Sequence, residues 1–296
     1  MTHRRPAAPS VRALRTYAYP VALAAILFYF VWRNAGIYPM VLADEWLYSS
    51  AARLQPLAES ILPSYLYLAL FSWTSSCGPG FYDCARVLNA AFMVGASPFI
   101  YLIARRLCSA PVSAVLALAA ILAPVSSVTA YFMPEAMYFF GFFAFAWVAL
   151  AFTRSQSLHY GLGTGALLGL MSVIKVHALF LLPALLCFML YLALARRREG
   201  GWLRDVLVMI SAATLAALAV KMALGYLFAG RSGVSLFGHF YGAHATNSDT
   251  SIGAMLRLAW PALVSLKGHV LALGLLMSLP LATLLLHAFD RRAREE

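Results

Sequence analysis

Apolar stretches close to the ~20 residues that cross a bilayer recur along this chain, separated by short polar breaks. Their spacing predicts helices at about 16–33, 86–104, 110–131, 136–153, 158–174, 177–195, 205–229 and 268–289. A short membrane-dipping piece, "LRLAWPALVSL", precedes the last of them. Residues 57–75, "LAESILPSYLYLALFSWTS", fall between the first two and mix aromatic with polar positions, which suits an amphipathic helix at the membrane interface. The expected fold is an all-α polytopic membrane protein of about eight transmembrane helices. No internal repeat, low-complexity segment or soluble domain is evident.

Composition agrees with this pattern. Hydrophobic residues make up 62% and charged residues 11% of the chain, and the mean hydropathy is +0.79. A soluble domain carries roughly 25% charged residues. The net charge of +11 changes the picture only by its distribution. It is gathered in clusters between apolar runs, with no basic face interleaved with aromatics, so nucleic acid is excluded as a partner. The clusters are Arg4, Arg5, Arg12 and Arg15, then Arg105 and Arg106, then Arg154, then Arg196, Arg197, Arg198 and Arg204, and finally Arg291, Arg292 and Arg294. With eight helices and a cytoplasmic N-terminus, every cluster falls on the cytoplasmic side, as the positive-inside rule asks. Both termini are then cytoplasmic, and the protein is expected in the inner (cytoplasmic) membrane.

The organisation that follows is a basic N-terminus at 1–15, a transmembrane module at 16–195 with a first outside loop at 34–85, and further helices at 196–296 with an outside loop at 230–257. The basic start and first apolar run also fit a cleaved signal peptide. The cleavage-like "VLA" stands too far beyond the apolar run, which favours a retained anchor. In the first loop, "CGPGFYDC" lets the chain turn back so that Cys77 and Cys84 bridge in an oxidising compartment; two free thiols are the equal alternative. Cys108 and Cys187 read as small buried fillers.

Charges at membrane depth or at one membrane face are the default candidates for chemistry. The outside face offers Asp44, Glu45, Arg53, Glu59, Asp83, Arg86, Glu135, Lys175, His177, Arg231 and His239. Carboxylates mixed with cations suit a reaction that removes a proton and holds a phosphate. Several have plainer readings. Asp44 and Glu45 can be a helix-opening pair, Glu135 follows Pro134 as helix starts often do, and Arg86 can snorkel to the interface. Lys175, in "LMSVIKVHALFLLPA", stands at a connection so short that its ammonium must lie at or under the headgroups, where it either snorkels to water or finds a partner in a lipid-linked phosphate. His177 can help hold that phosphate or be an ordinary interfacial histidine. His239 and His244 lack an acidic partner nearby, so a divalent metal is not asked for by the pattern and its requirement stays open. Lys221 and Lys267 have no obvious partner.

These residues resemble the GT-C superfamily of membrane glycosyltransferases, in particular the group of protein O-mannosyltransferases and bacterial lipid A aminoarabinose transferases. "DEWLY" carries the resemblance furthest, as Asp44, Glu45 and Tyr48 just after the first helix. "PSYLYLALFSW" is similar to the group's Pro-containing amphipathic segment. "CARVLNAAFMVGASPFIYLIARRL" is similar to its second helix, "AYFMPEAMYFFGFFAFAW" to its third-to-fourth junction, and "LLGLMSVIKVHALFLLPALL" to a later junction bearing a Lys. The resemblance covers about residues 15–195 and implies a sugar transfer at the outer membrane face. The donor substrate would be a polyprenyl-phosphate sugar, with polyprenyl phosphate as the leaving group and no cofactor implied beyond it, and the acceptor a hydroxyl of a glycan, lipid or protein. Asp44 is implied as the base, with Glu45 as its catalytic companion. Lys175 and Arg86 would hold the phosphate, and Glu135, His177, Tyr48 and Arg53 would line the pocket. The group commonly has more helices and a soluble C-terminal domain, which here would come from a partner subunit or be dispensed with. A flippase for a lipid-linked sugar, or a non-catalytic membrane assembly subunit of the same ancestry, are the alternatives. A flippase would be expected to show inverted repeats.

Overall fold

The computed structural model describes residues 11–37, 43–151, 156–195 and 201–235. The helix expected at 268–289, the piece before it, most of the 230–257 loop, Arg154, Arg196–Arg198, His239, His244 and Lys267 lie outside the described residues. What is described is all-helical. The α-helices are α1 (Val11–Asn34), α2 (Ala43–Arg53), α3 (Tyr65–Phe71), α4 (Phe81–Ala104), α5 (Ala110–Leu122), α6 (Glu135–Ala151), α7 (Ser157–Ser172), α8 (Leu181–Ala195) and α9 (Trp202–Ala229). Among the described residues three helical runs are long and apolar enough to cross a membrane, Tyr65–Ala104, Val176–Ala195 and Trp202–Val234. A fourth is added if α5 and the 3-10 segment Pro124–Ala130 count as one bent span. The chain is a multi-pass membrane protein.

Two departures from the apolar pattern have local causes. The helix expected over 110–131 breaks after Leu122 and continues as Pro124–Ala130 at an angle of 52°. Proline clashes with a helical residue before it, and Ala123 accordingly turns extended, at φ −55° and ψ 164°. The segment 57–75 is not one interfacial helix either. It splits into a 3-10 turn at Leu57–Glu59, the short α3 and a 3-10 stretch at Ser72–Gly80. The aromatic side chains Tyr65, Tyr67 and Phe71 of α3 are buried inside the protein rather than spread along the lipid. Cys77 and Cys84 are joined by a disulfide across the turn that Gly78, at φ 56°, makes possible. Mapping by alkylation without reductant is expected to label Cys108 and Cys187, which are free, and to spare the bridged pair. Labelled Cys77 and Cys84 would contradict the bridge.

The bundle is organised around two seams. α4 packs against α1, α5 and α6, burying Ala90, Met93, Ala96 and Ile100 against Phe30, Ala117 and Ile121. The second seam joins α7 and α9, which run parallel with α8 as the return. Gly161, Gly165 and Gly169 recur every fourth residue on α7 and face Met209, Ala213 and Ala217 of α9. A Cβ on Gly161 would lie 2.6 Å from the Met209 carbonyl oxygen, and one on Gly169 would lie 2.6 Å from that of Ala217. A Cβ on Gly165 would run into the Ala213 carbonyl. Lipid offers no hydrophobic drive between helices, so such close backbone packing is what holds them together. Gly165→Leu is therefore expected to part α7 from α9 and to lower the yield of monodisperse protein in detergent, as overpacking costs ~1–3 kcal/mol or more. A wild-type elution profile would contradict this packing.

Hydrogen bonds gather the helix ends into two groups. At one end Arg106 donates to the Leu150 carbonyl (2.5 Å) and Tyr160 Oη to the Ala149 carbonyl (2.8 Å), uniting α4, α6 and α7. At the other end Arg33 of α1 donates to Ser126 and Thr129, and Leu66 N of α3 donates to the Val173 carbonyl after α7. Ser232 Oγ there donates to the Ala58 carbonyl (2.9 Å), closing α9 onto the first loop. This second end carries every candidate described next.

Candidate functional site

"DEWLY" begins a helix. α2 opens with Asp44 and Glu45 in its first turn, where the helix dipole favours acidic groups. Neighbours on a helix point about 100° apart, so the two carboxylates part company. Asp44 faces solvent, whereas Glu45 is 1% exposed. Asp44 takes part in none of the ion pairs among the described residues.

Glu45 Oε1 accepts the backbone N–H of Phe132 at 2.9 Å, and its Oε2 is buried without a hydrogen-bond partner. Burial pushes the Glu45 carboxyl above the ordinary carboxylate range, opposed by the Phe132 amide and by the positive charge of Arg86. The geometry is that of a tie: a buried carboxyl fastens α2 to the 131–134 turn that leads into α6. Glu45→Gln keeps an acceptor for the amide and is expected to unfold near the wild-type temperature. Glu45→Ala orphans a buried N–H, at a cost of ~1–3 kcal/mol, and thermal unfolding separates the two. Equal losses in both variants would sink the tie.

Arg86 is 4% exposed and already engaged. Its Nε donates to the Ala130 carbonyl (3.1 Å), one terminal nitrogen to Asp83 (2.8 Å) and the other to the Ile37 carbonyl (2.6 Å). Asn89, one turn on, donates to the Tyr131 carbonyl at 2.7 Å. α4 thus clamps both the start of the first loop and the turn before α6. Arg86, expected to face a donor phosphate, is occupied in holding the two loops. Arg53, at the end of α2, lies over the Phe81 ring, its guanidinium carbon 3.3 Å from the centroid.

Lys175 and Glu135 meet. Lys175 leaves α7 in an extended conformation at φ −149° and ψ 121°, capping the 3-10 turn Val176–Phe180. That turn swings its side chain toward the first residue of α6, and Nζ lies 2.5 Å from Glu135 Oε1. Both are partly covered, with side chains 24% and 27% exposed. Glu135 Oε2 is buried and without a hydrogen-bond partner among the described residues. His177, two residues on, is exposed, and both Lys175 and Glu135 act on it electrostatically. An apolar cavity of about 420 Å³ starts at Glu135 and runs over Val125, Tyr138, Phe139 and Phe142. A second, of about 380 Å³, begins at the same Phe142 and follows α6 and α8 past Phe145, Ala149, Leu181 and Leu185. The ion pair therefore stands, through Glu135, at the edge of the first of two apolar cavities along α6 that meet at Phe142.

Tyr48 is buried beside Tyr67, the rings meeting edge-on at 5.6 Å. Tyr67 escaped the reading of the sequence because "PSYLYLALFSW" looked interfacial. Its placement needed the bond from Leu66 to Val173, which joins residues far apart in the chain. Among the described residues no group of three His, Cys, Asp or Glu could hold a metal ion.

Against known proteins, the model of a family described as dolichyl-phosphate-mannose-protein mannosyltransferase matches residues 82–226. That span runs from the first turn of α4 to the last turn of α9 and includes Arg86, Glu135 and Lys175; Asp44 and Glu45 precede it. No curated protein and no solved structure gives a significant match. The matched span, with its membrane helices and its partly covered Lys175–Glu135 corner, belongs to the dolichyl-phosphate-mannose-protein mannosyltransferase family, a family of GT-C membrane glycosyltransferases.

Proposed function

We propose that this protein transfers mannose from a polyprenyl-phosphate donor to an acceptor hydroxyl, with Lys175 holding the phosphate and Asp44 removing the hydroxyl proton. The observation that carries the reading is the Lys175–Glu135 pair at the head of an apolar cavity. A polyprenyl-phosphate sugar has the matching anatomy: an anionic group at the membrane surface and a long apolar tail below it. The tail would follow α6 past Phe139 and Phe142 toward Leu185, where contact with lipid-like side chains costs no desolvation of polar groups.

The chemistry is a displacement at the anomeric carbon. The acceptor O–H gives its proton to the Asp44 carboxylate as its oxygen bonds to the anomeric carbon. The bond from that carbon to the phosphate oxygen breaks, and polyprenyl phosphate departs with the electron pair. Lys175 meets the negative charge that grows on the leaving phosphate. Direct attack inverts the anomeric configuration. Phosphate leaves without the acid that soluble glycosidases supply, so a single carboxylate base suffices. Asp44 suits this work because it is exposed at the first turn of α2, while its neighbour Glu45 is committed to the Phe132 amide.

Support for the outer membrane face comes from the two helix-end groups. The Cys77–Cys84 bridge lies in the first loop, with the candidate residues, whereas Arg105 and Arg106 lie at the opposite end. A transfer assay tests the proposal. Membranes containing the protein, given polyprenyl-phosphate mannose labelled in the sugar, are expected to pass label to acceptor in proportion to the protein present. Label that moves across the membrane while still attached to polyprenyl phosphate would instead indicate a flippase.

A further inference from the structure

We infer that Tyr67 is a positioning residue that takes charge of Glu135 when Lys175 turns to the donor phosphate. The inference rests on the phosphate role of Lys175 and adds a residue that no part of that role requires.

Among the described residues Lys175 has one anionic partner, Glu135. A donor phosphate arriving at Lys175 must compete with that carboxylate. Once the ammonium turns, Glu135 keeps a negative charge with one oxygen already buried and unbonded. An uncompensated charge in such a place is costly, so donor affinity depends on what else can receive Glu135.

Tyr67 is the group placed to do so. It is 0% exposed, and among the described residues its hydroxyl has no hydrogen-bond partner. Tyr67 shares one core with Met137 and Ile174, which stand two residues after Glu135 and one before Lys175, and Glu135 is among the charged groups that act on its hydroxyl. The ring is held on several sides: stacked on Phe71 (4.1 Å), edge-on to Tyr48 (5.6 Å) and edge-on to Phe132 (6.3 Å). Phe132 is the residue whose amide Glu45 accepts, and Leu66, beside Tyr67, donates to Val173, two residues before Lys175. The phenol thus stands between the two fixed loops that carry Glu45 and the Glu135–Lys175 corner. A buried hydroxyl left unbonded lowers the stability of the resting state and calls for an explanation, such as a bond made in another state. Donating to a carboxylate released by its lysine makes such a bond.

The handover predicts behaviour that a structural tyrosine would not show. Tyr67→Phe keeps every ring contact and removes a hydroxyl that bonds to nothing at rest. The unliganded protein should therefore melt no lower than wild type. The probe is polyprenyl-phosphate mannose, titrated against the full chain in detergent, with turnover measured in membranes that supply acceptor. Tyr67→Phe is expected to weaken donor binding roughly tenfold, the scale of one lost hydrogen bond to a charged group, while leaving kcat nearly unchanged. In a Glu135→Gln background no charge is released, and Tyr67→Phe should have no further effect on donor binding. Unchanged donor affinity in Tyr67→Phe, an undiminished effect in the Glu135→Gln background, or a lower melting temperature without donor would each overturn the handover. Lys175→Ala separates the two levels. Unchanged donor binding in that variant overturns the phosphate reading and the handover with it. Weakened binding in Lys175→Ala beside a silent Tyr67→Phe overturns the handover alone.

Discussion

Lys175→Ala is expected to weaken binding of polyprenyl-phosphate mannose roughly ten- to hundredfold, with a much smaller change in acceptor saturation. A charge-assisted hydrogen bond contributes ~1.5–3 kcal/mol, and each 1.4 kcal/mol is a factor of ten. Lys175 is placed to give that full value because it is three-quarters covered and stands on a short turn between two apolar helices. The substitution also strips Glu135 of its counterion, so part of any loss could arise from damage to the resting protein. Lys175→Ala combined with Glu135→Gln removes that complication, since the neutral amide needs no cation. The double variant is expected to fold like wild type and still bind donor poorly. Equal effects on donor and acceptor would argue against a phosphate role.

Asp44→Asn is expected to act on the other side of the kinetics, lowering kcat by about 10²–10⁴ with donor affinity preserved. That range is what a positioned general base contributes. The amide is isosteric and Asp44 makes no ion pair among the described residues, so the fold has nothing to lose. Saturation curves for donor in both variants check the division of labour. A rise in KM with kcat intact would assign Asp44 to binding rather than to proton removal. Glu45 is expected to behave differently from its neighbour, because its carboxyl is inside the protein and bonded to Phe132.

Much of this was legible in the residue pattern, and the parts that were not share a physical reason. Seven of the apolar runs correspond to α1 and α4–α9, because an unbroken apolar stretch leaves the backbone little alternative to helix in lipid. The break at Pro124 was readable in principle from "LAPVSS", since proline acts on the residue before it. The acidic pair is legible in the sequence, but not the burial of Glu45 beside an exposed Asp44, which depends on α2 starting at Ala43 so that one carboxylate turns inward. The partners of Arg86 were beyond reach for another reason. Two of them are backbone carbonyls, of Ile37 and Ala130, and a carbonyl leaves no mark in the sequence. The glycine stripe on α7 is plain at Gly161, Gly165 and Gly169, yet its meaning depends on α9, more than forty residues later. Lys221, unassigned from the sequence, is fully buried on α9 without a hydrogen-bond partner among the described residues, and nothing in the structure explains it.

The central claim is that Asp44 drives transfer from a donor that other residues hold. Its most direct test is release of polyprenyl phosphate from bound polyprenyl-phosphate mannose, measured in wild-type and Asp44→Asn membranes at equal donor occupancy. The account predicts release with mannosyl transfer by the wild type, and release at least about 10²-fold slower per bound donor in the variant. Release at the wild-type rate by Asp44→Asn would contradict it.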